Sequence, residues 1–563
     1  MNENSPAFLT YKILYEAVSI CHAHGVEHVV LCPGSRSAPI ALSFMRFEGI
    51  KHFVIPDERS AAYVALGMAR QTKKPVALVC TSGTASLNFA PAVAEAFFSE
   101  LPLIVFTADR PAEWIGQADN QAIFQTNLYG KHVKTAFTFP TELSHPDSEW
   151  YAIRQVNEAL NIAKIQPKGP VHINVPLREP LYLDEAYDFG ILSPKKVEIV
   201  QSERTLPSSV YDNIAHYQRI MVVSGTHRPN KTLVELLSKL GSESKIVFVP
   251  DITSNLVNIP GSISFAELII DTIKPDEISN FVPDLVISFG GPIVSKSLKN
   301  FVRNKEIKEH WHLSGHPGSA DTFQKLAKVF DIDSVGFFKA VLENGKLQPN
   351  PEFARNWANS QVDIKPKTKI ALDSLPFCEV KSAYQILSSL PDDVVLHLGN
   401  SLPVRFASVF PFIKSGTEIY SNRGTSGIDG TVSSAAGQSM VDTQMHVLIC
   451  GDLAFMYDSN GLWNNYLKDN LKIIVFNNHG GGIFRTLPGA KAQKELEEYF
   501  VVKQPLNFGY TAIQHNCHYF HCKDFETFQI TLYGFYAITG KPAVLEIEFR
   551  EDLSIENLKQ MIK

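Results

Sequence analysis

Two short stretches in the last third of the chain could hold a phosphate-bound metal ion. Gly451-Asp452-Leu453 follows the apolar run HVLIC, and Asn477-Asn478-His479-Gly480 follows the run LKIIVF. Asp452 and Asn478 lie 26 positions apart, each just beyond a predicted strand. Consecutive strands of a parallel sheet often sit side by side. Both residues then reach one carboxyl edge, where such sheets bind ligands. A carboxylate, an amide oxygen and the Gly480 carbonyl make three hard oxygen donors. Mg²⁺ or Mn²⁺ takes about six, and phosphate and water usually supply the rest. Gly451 lets the backbone approach a phosphate closely. A Gly-Asp pair alone would more often be a strand end capping a helix. The joint spacing with the Asn pair favours the metal.

A second set of residues suits anions. Arg36, Arg110, Arg405 and Arg423 follow predicted strands or lie in Gly/Ser loops, and Lys296 follows FGGPIVS. The planar guanidinium fork matches a carboxylate bidentately and stays charged. A single such arginine is more often one half of a weak surface ion pair.

The elements that must position these residues form three blocks. Short apolar runs such as HVVL, PVALVC, LPLIVF and GPVHINV alternate with amphipathic segments. Strands apolar on both faces imply a parallel sheet covered by helices on both sides. The predicted fold is therefore α/β, with three parallel-sheet domains at 1–185, 205–345 and 370–563. A looser stretch from Leu181 to Ser208 separates the first two. A polar linker, NGKLQPNPEF with NSQVDIKPKTK further on, separates the last two. The first and third blocks close on similar strands, GPVHINVP and KPAVLEIEF, a weak internal repeat.

Composition excludes several classes. The chain has 563 residues, 45% hydrophobic and 20% charged, so it is globular rather than disordered or fibrous. A net charge of −6 argues against bulk nucleic-acid binding. No apolar run approaches the roughly 18 residues of a membrane span. The start, MNENSPAFLT, has neither a basic region nor an apolar core, so no secretory signal is expected. Seven scattered cysteines without a CxxC suit a reduced, cytoplasmic protein.

The Gly-Asp and Asn-Asn pairs at this spacing resemble the thiamine diphosphate motif of the pyruvate-oxidase-like enzymes. There the Asp, the second Asn and a nearby carbonyl hold Mg²⁺ on the diphosphate. The positions here are Asp452, Asn478 and Gly480, with Leu453 where the family usually has glycine. Further stretches are CPGSRSAP (32–39), DERSAAYVALGMAR (57–70), TSGTA (81–85), TADRP (107–111), NQAI (120–123), GNSLPVR (399–405), SNRGTSGIDG (421–430) and NNHGGGIF (477–484). Together they resemble the 2-succinyl-5-enolpyruvyl-6-hydroxy-3-cyclohexene-1-carboxylate synthase family of menaquinone biosynthesis. The resemblance covers both outer blocks and is thin in the middle one.

That resemblance implies a transferase joining 2-oxoglutarate to isochorismate with loss of CO₂. It implies thiamine diphosphate held through Gly451, Asp452, Leu453, Asn478, Ser401 and Ile428, the last wedged under the cofactor. It makes Glu58, in Pro56-Asp57-Glu58-Arg59, the carboxylate that activates the cofactor's aminopyrimidine, best done in a dry site that raises its pKa. On composition alone Glu58 would be a solvated turn residue. Ser35, Arg36, Arg110, Asn120, Gln121, Lys296, Arg405 and Arg423 become substrate-binding residues, led by Arg405 and Arg423. Ile483, Phe484 and Leu487 become the substrate-side wall. The family clamps its cofactor between the first block of one subunit and the third of another, so a homodimer or a tetramer is implied. The alternatives are another thiamine enzyme, such as an acetohydroxyacid synthase or a 2-oxoacid decarboxylase, and a catalytically silent paralogue.

Three other stretches look chemical without fitting a site. His515-Asn516-Cys517-His518-Tyr519-Phe520-His521-Cys522 matches no zinc spacing and reads as packing. TSGTAS lacks the GK[ST] of a phosphate loop, and FGGP lacks GxGxxG.

Overall fold

A computed structural model describes residues 5–142, 145–182, 194–200, 204–244, 246–316, 318, 320–344, 347–549 and 555–562. The domain boundaries drawn at 185 and 345, both chain ends and parts of the stretch between 181 and 208 lie outside the described residues. The chain forms two compact units.

The first unit comprises Met1–Gln201, Gly424–Thr443 and Phe455–Leu471. Its sheet contains β1 (His28–Leu31), β2 (Lys51–Val54), β3 (Val76–Cys80), β4 (Leu103–Asp109), β5 (Ala136–Thr138) and β6 (Val171–Pro176). The order is β2-β1-β3-β4-β6-β5 and all pairs are parallel. Every residue of β3, β4 and β6 is buried, as their unbroken apolar runs require. One core packs helices Pro6–Ala23, Ala38–Arg46 and Pro146–Lys164 on the sheet through Leu14, Phe44, Phe106, Val156 and Leu160.

Helix Glu58–Thr72 packs along helix Thr431–Met440. Two glycines allow that approach. A Cβ at Gly67 would stand 2.2 Å from the Ser434 carbonyl oxygen, and one at Gly437 2.1 Å from that of Val64.

The second unit comprises Ser202–Arg423, Gln444–Ala454 and Lys472–Lys563, and holds two sheets. The smaller contains β7 (Ile220–Ser224), β8 (Val247–Pro250), β9 (Leu285–Phe289), β10 (Glu309–Leu313) and β11 (Leu326–Phe330), in the order β8-β7-β9-β10-β11. Such a sheet would bind ligands where β7 and β9 diverge. Here that crevice is closed by backbone: Gly291 N donates to the Thr226 carbonyl at 2.8 Å, and a Cβ at Gly225 would meet the Gly291 carbonyl oxygen at 1.9 Å. The FGGP stretch is thus a packing element.

The larger sheet contains β12 (Val395–Leu398), β13 (Glu418–Tyr420), β14 (His446–Gly451), β15 (Leu471–Asn477), β16 (His518–Cys522) and β17 (Ala543–Glu548). Its order, β13-β12-β14-β15-β17-β16, repeats that of the first unit strand for strand. The weak repeat in the closing strands is therefore a repeat of whole topology.

The expected polar linker is different. Residues 351–374 form one helix, Pro351–Ser374. Asn350 caps it by accepting the Glu352 N–H at 2.8 Å, and Phe353, Trp357, Ile364, Ala371 and Leu372 line a buried stripe. Trp357 is fully buried, edge-on to Phe281 and Phe301. The polar face and the interior Pro366 masked this period in the sequence.

All seven cysteines are buried thiols with no disulfide. Among the described residues no helix is long and apolar enough to cross a membrane.

Candidate functional site

β14 and β15 are neighbours in the larger sheet, so Asp452 and Asn478 emerge at the same edge. Asp452 is buried; Oδ1 accepts the Leu453 N–H and Oδ2 the Gly480 N–H, both at 2.7 Å. Burial pushes its carboxyl up to about 6, against the opposing pull of those two donors and of His479. Asn478 donates through Nδ2 to Glu379 Oε1 at 2.8 Å, while its Oδ1 is buried without a partner. An unsatisfied buried acceptor costs about 1–3 kcal/mol. A cation would relieve it.

The backbone around this pair is tightly specified. His479 has φ +62° and Gly480 φ +147°. A Cβ at Gly480 would lie 2.5 Å from the Val501 carbonyl oxygen, and one at Gly482 would lie 2.4 Å from Asn478 Nδ2. The Gly480 carbonyl accepts the Gly482 N–H at 3.0 Å, which leaves one lone pair. A Cβ at Gly451 would meet nothing within 4 Å, so the space at the strand end is open. A buried carboxylate, an orphaned amide oxygen and a half-used carbonyl fit a hard divalent ion. A short helix, Asp452–Tyr457, begins at Asp452 itself.

Glu58 is the first residue of its helix, which Asp57 caps by accepting the Ser60 N–H at 3.0 Å. It stands at the carboxyl edge of the first unit's sheet, where β1 and β3 diverge. Burial raises the thiols of Cys32, just past β1, and of Cys80, the last residue of β3, and the Glu58 charge adds to that rise. Glu58 is half-buried in the chain by itself. Directly after β3, Thr81 and Ser82 are buried with unpartnered hydroxyls. Sequence reasoning weighed this stretch as a family motif and as a phosphate loop, and missed those hydroxyls. Ile428 lies in the same unit, 37% exposed. The following Asp429 accepts the Tyr63 hydroxyl at 2.5 Å.

The second unit gathers most of the other candidates. Ser401 precedes helix Leu402–Val409 with φ +77° and no capping bond, and Arg405 lies half-buried within that helix. Arg423 donates through Nη1 to Asn400 Oδ1 at 2.7 Å, and Asn400 Nδ2 donates to the Asn422 carbonyl at 2.7 Å. Asn255 holds the neighbouring edge strand β13, pairing with both the N–H and the carbonyl of Ile419. Burial and then Arg423, with lesser pushes from Arg303 and Arg405, lower the Lys299 ammonium, and Asp251 opposes them. Lys299 is thus a cation of this region that sequence reasoning missed. Lys296 is exposed at the start of helix Lys296–Asn304. Ile483 and Phe484 are half-buried on the turn Gly482–Thr486, where Phe484 packs on Phe500, and Leu487 is 37% exposed.

In the first unit the arginine forks are engaged by their own chain. Arg36 is buried, donating to the Leu177 carbonyl at 2.9 Å and pairing with Glu179 at 3.2 Å. Arg110 donates through Nε and Nη2 to the Asn120 carbonyl at 3.2 and 2.9 Å and pairs with Asp119. Ser35 is exposed and shares a hydrogen bond with the Tyr182 hydroxyl, and Asn120 and Gln121 are exposed.

Several supporting residues gave no sequence signal. Buried Gln125 accepts the Gly83 N–H and donates to the Ala108 carbonyl and to Asn174, closing the loop that carries Asn120 and Gln121. Fully buried Glu95 accepts the N–H groups of Gly424 and Thr425, next to Arg423 in sequence. Glu546 accepts from Asn477 and Tyr519. His521, Glu546 and Glu548 cluster closely enough to hold a metal. Their groups already serve one another, Asn477, Tyr519 and Lys523, so the histidine-rich stretch on edge strand β16 is a hydrogen-bonding element here.

Residues 16–133 match the family model of the N-terminal TPP binding domain of thiamine pyrophosphate enzymes, and residues 401–547 match that of the C-terminal TPP binding domain. Curated relatives match at nearly full length. The 2-succinyl-5-enolpyruvyl-6-hydroxy-3-cyclohexene-1-carboxylate synthase of Cytophaga hutchinsonii is 39% identical, over 98% of each chain. Those of Christiangramia forsetii and Porphyromonas gingivalis are 37% identical over 94% of each chain and 36% identical over 93% of this chain and 92% of theirs. The chain belongs to the 2-succinyl-5-enolpyruvyl-6-hydroxy-3-cyclohexene-1-carboxylate synthase family of thiamine diphosphate-dependent enzymes.

Proposed function

We propose that the protein joins 2-oxoglutarate to isochorismate with loss of CO₂, giving 2-succinyl-5-enolpyruvyl-6-hydroxy-3-cyclohexene-1-carboxylate for menaquinone synthesis in the cytoplasm. The observation that carries this is the Asp452–Gly480–Asn478 cradle, whose buried Asn478 oxygen lacks a partner. Asp452, Asn478 and the Gly480 carbonyl hold Mg²⁺ or Mn²⁺ against the cofactor's diphosphate, beside Gly451, Leu453 and Ser401. When bound, thiamine diphosphate supplies the electron sink that decarboxylation and carbon–carbon bond formation need.

The chain's own residues bind, orient and move protons. Glu58 would exchange a proton with the cofactor's pyrimidine nitrogen, and Ile428 would support the cofactor. Each substrate brings two carboxylates. Arg405 and Arg423 orient them, with Lys296, Arg36 and Arg110 as further cations and Ser35, Asn120 and Gln121 as hydrogen-bond donors. Ile483, Phe484 and Leu487 wall the site and exclude water. The active form is a homodimer or a tetramer, with Glu58 supplied by one copy and the cradle by another.

The test is incubation with Mg²⁺, thiamine diphosphate and 2-oxoglutarate, following CO₂. Release that depends on isochorismate is expected. Release without it, or a preference for pyruvate as donor, would replace this reading with a decarboxylase or an acetohydroxyacid synthase. Bound cofactor without turnover would indicate a silent paralogue.

A further inference from the structure

Glu58 begins a helix, and a first-turn glutamate has three side-chain torsions to settle. Among the described residues its carboxylate takes no hydrogen bond from the chain. Its two sequence neighbours, by contrast, are both tied to one distant stretch of the first unit. Asp57 uses one oxygen to cap the helix through the Ser60 N–H at 3.0 Å, and the other accepts Asn460 Nδ2 at 2.6 Å. Arg59 donates through Nη2 to the Tyr457 carbonyl at 2.6 Å, with its guanidinium 4.6 Å from the centre of the Tyr457 ring.

The stretch that receives these contacts is itself pinned. Asp458, between the two anchors, is fully buried and accepts both the N–H and the hydroxyl of Ser433 at 2.7 Å. A Cβ at Gly461 would meet Ser433 Oγ at 2.6 Å, so the chain runs tight against that helix. Tyr466 then accepts the Val54 N–H at 2.9 Å and packs edge-on to Phe53, holding the strand that leads to Glu58. One segment, 457–466, therefore grips the chain before Glu58 and on either side of it.

We infer that Asn460, through Asp57, is a positioning residue for Glu58, with the Tyr457–Arg59 contact as the second arm of the clamp. The inference rests on the reading that Glu58 activates the cofactor. Proton exchange with a ring nitrogen needs a heavy-atom separation of about 2.6–3.2 Å. Fixing the backbone on both sides fixes the direction in which the glutamate leaves it. A displacement of about 1 Å can cost about a hundredfold in rate.

A charge-swap experiment separates positioning from mere stabilisation. In Asp57→Asn the Asn460 amide can turn its oxygen to the new amide nitrogen, so the contact survives, whereas in Asn460→Asp two carboxylates face each other. The double substitution restores one donor and one acceptor. Three quantities are read: exchange of the C2 proton of enzyme-bound thiamine diphosphate in deuterated water, cofactor affinity by titration calorimetry, and amide exchange of residues 55–63 in the cofactor-free protein. Asn460→Asp is expected to slow C2 exchange by about 10- to 100-fold and to speed amide exchange, with cofactor affinity within about threefold of the parent, while Asp57→Asn stays close to the parent in all three. The double variant is expected to recover C2 exchange to within about threefold. Unchanged C2 exchange in Asn460→Asp, or a loss that the swap leaves in place, would overturn the inference. Glu58→Gln is the control: if it exchanges C2 normally, the activator reading fails and takes the inference with it. If it does not exchange while Asn460→Ala does, only the inference fails.

Discussion

The Gly480 amide donates to Asp452 Oδ2 at 2.7 Å, tying together the ends of two adjacent strands across 28 positions of sequence. This bond turns the Gly480 peptide so that the acidic edge of the cradle is built before any ion arrives. It also leaves Asn478 Oδ1 as the buried oxygen with no donor. Asn478→Ala is expected to weaken Mg²⁺-dependent thiamine diphosphate binding by about 10- to 100-fold. Glu379→Gln, which loosens the hydrogen bond orienting that amide, is expected to act in the same direction and more weakly. Titration calorimetry with cofactor at fixed Mg²⁺ measures both. Equal affinity in Asn478→Ala would remove it from the cradle.

Arg423 is held on one side by Asn400, which itself grips the Asn422 carbonyl. Arg423→Lys keeps the charge and loses the fork. It is expected to raise KM for 2-oxoglutarate by about 10- to 100-fold, the worth of a lost charged hydrogen bond, while cofactor affinity stays put. Steady-state kinetics against each substrate in turn shows which carboxylate it holds.

The helix that begins at Glu58 is seated by two glycines rather than by large side chains. Gly67→Ala would set a methyl 2.2 Å from the Ser434 carbonyl oxygen, and Gly437→Ala one 2.1 Å from that of Val64. Both neighbours are backbone atoms and cannot turn aside. Each change is expected to destabilise the protein by about 1–3 kcal/mol or more, despite alanine's better helix propensity. Thermal unfolding followed by circular dichroism would show a lowered midpoint.

Asp458 carries a pH signature. Burial pushes its carboxyl from the ordinary 3.8 up to about 7, despite the opposing Ser433 donors and the Arg59 charge. A carboxyl with a raised folded-state pKa binds its proton more tightly when folded. Its contribution is fully present below the unfolded value and is lost as pH rises through the folded one. Stability should therefore fall as pH rises from about 4 to 7, at up to about 1.4 kcal/mol per pH unit from this group. Asp458→Asn should remove that component of the slope. Denaturant unfolding at a series of pH values in that range checks it; an unchanged slope would assign the dependence to other groups.

Sequence alone determined what is local. The apolar runs mark the buried strands, and the polar residues just past them mark the carboxyl edges. Asp452 and Asn478 could be read as an edge pair because β14 and β15 are both consecutive and adjacent. The topological repeat between the outer sheets was legible only as two similar closing strands, since strand order leaves no trace in any single strand. The helix Pro351–Ser374 read as a linker because its apolar stripe is sparse and Pro366 interrupts it.

Only the tertiary structure decided the supporting partners. Asn478 meets Glu379 across 99 positions, Thr425 meets Glu95 across 330, and Asn460 meets Asp57 across 403. It also showed Arg36 bound to the Leu177 carbonyl and Arg110 to the Asn120 carbonyl, and Thr81 and Ser82 buried just past β3 with unpartnered hydroxyls. The reason is physical. A strand's burial is set by its own side chains, whereas a hydrogen bond of about 3 Å between distant residues depends on how whole sheets and helices are stacked. That stacking follows from the summed packing of the chain and from no one segment of it.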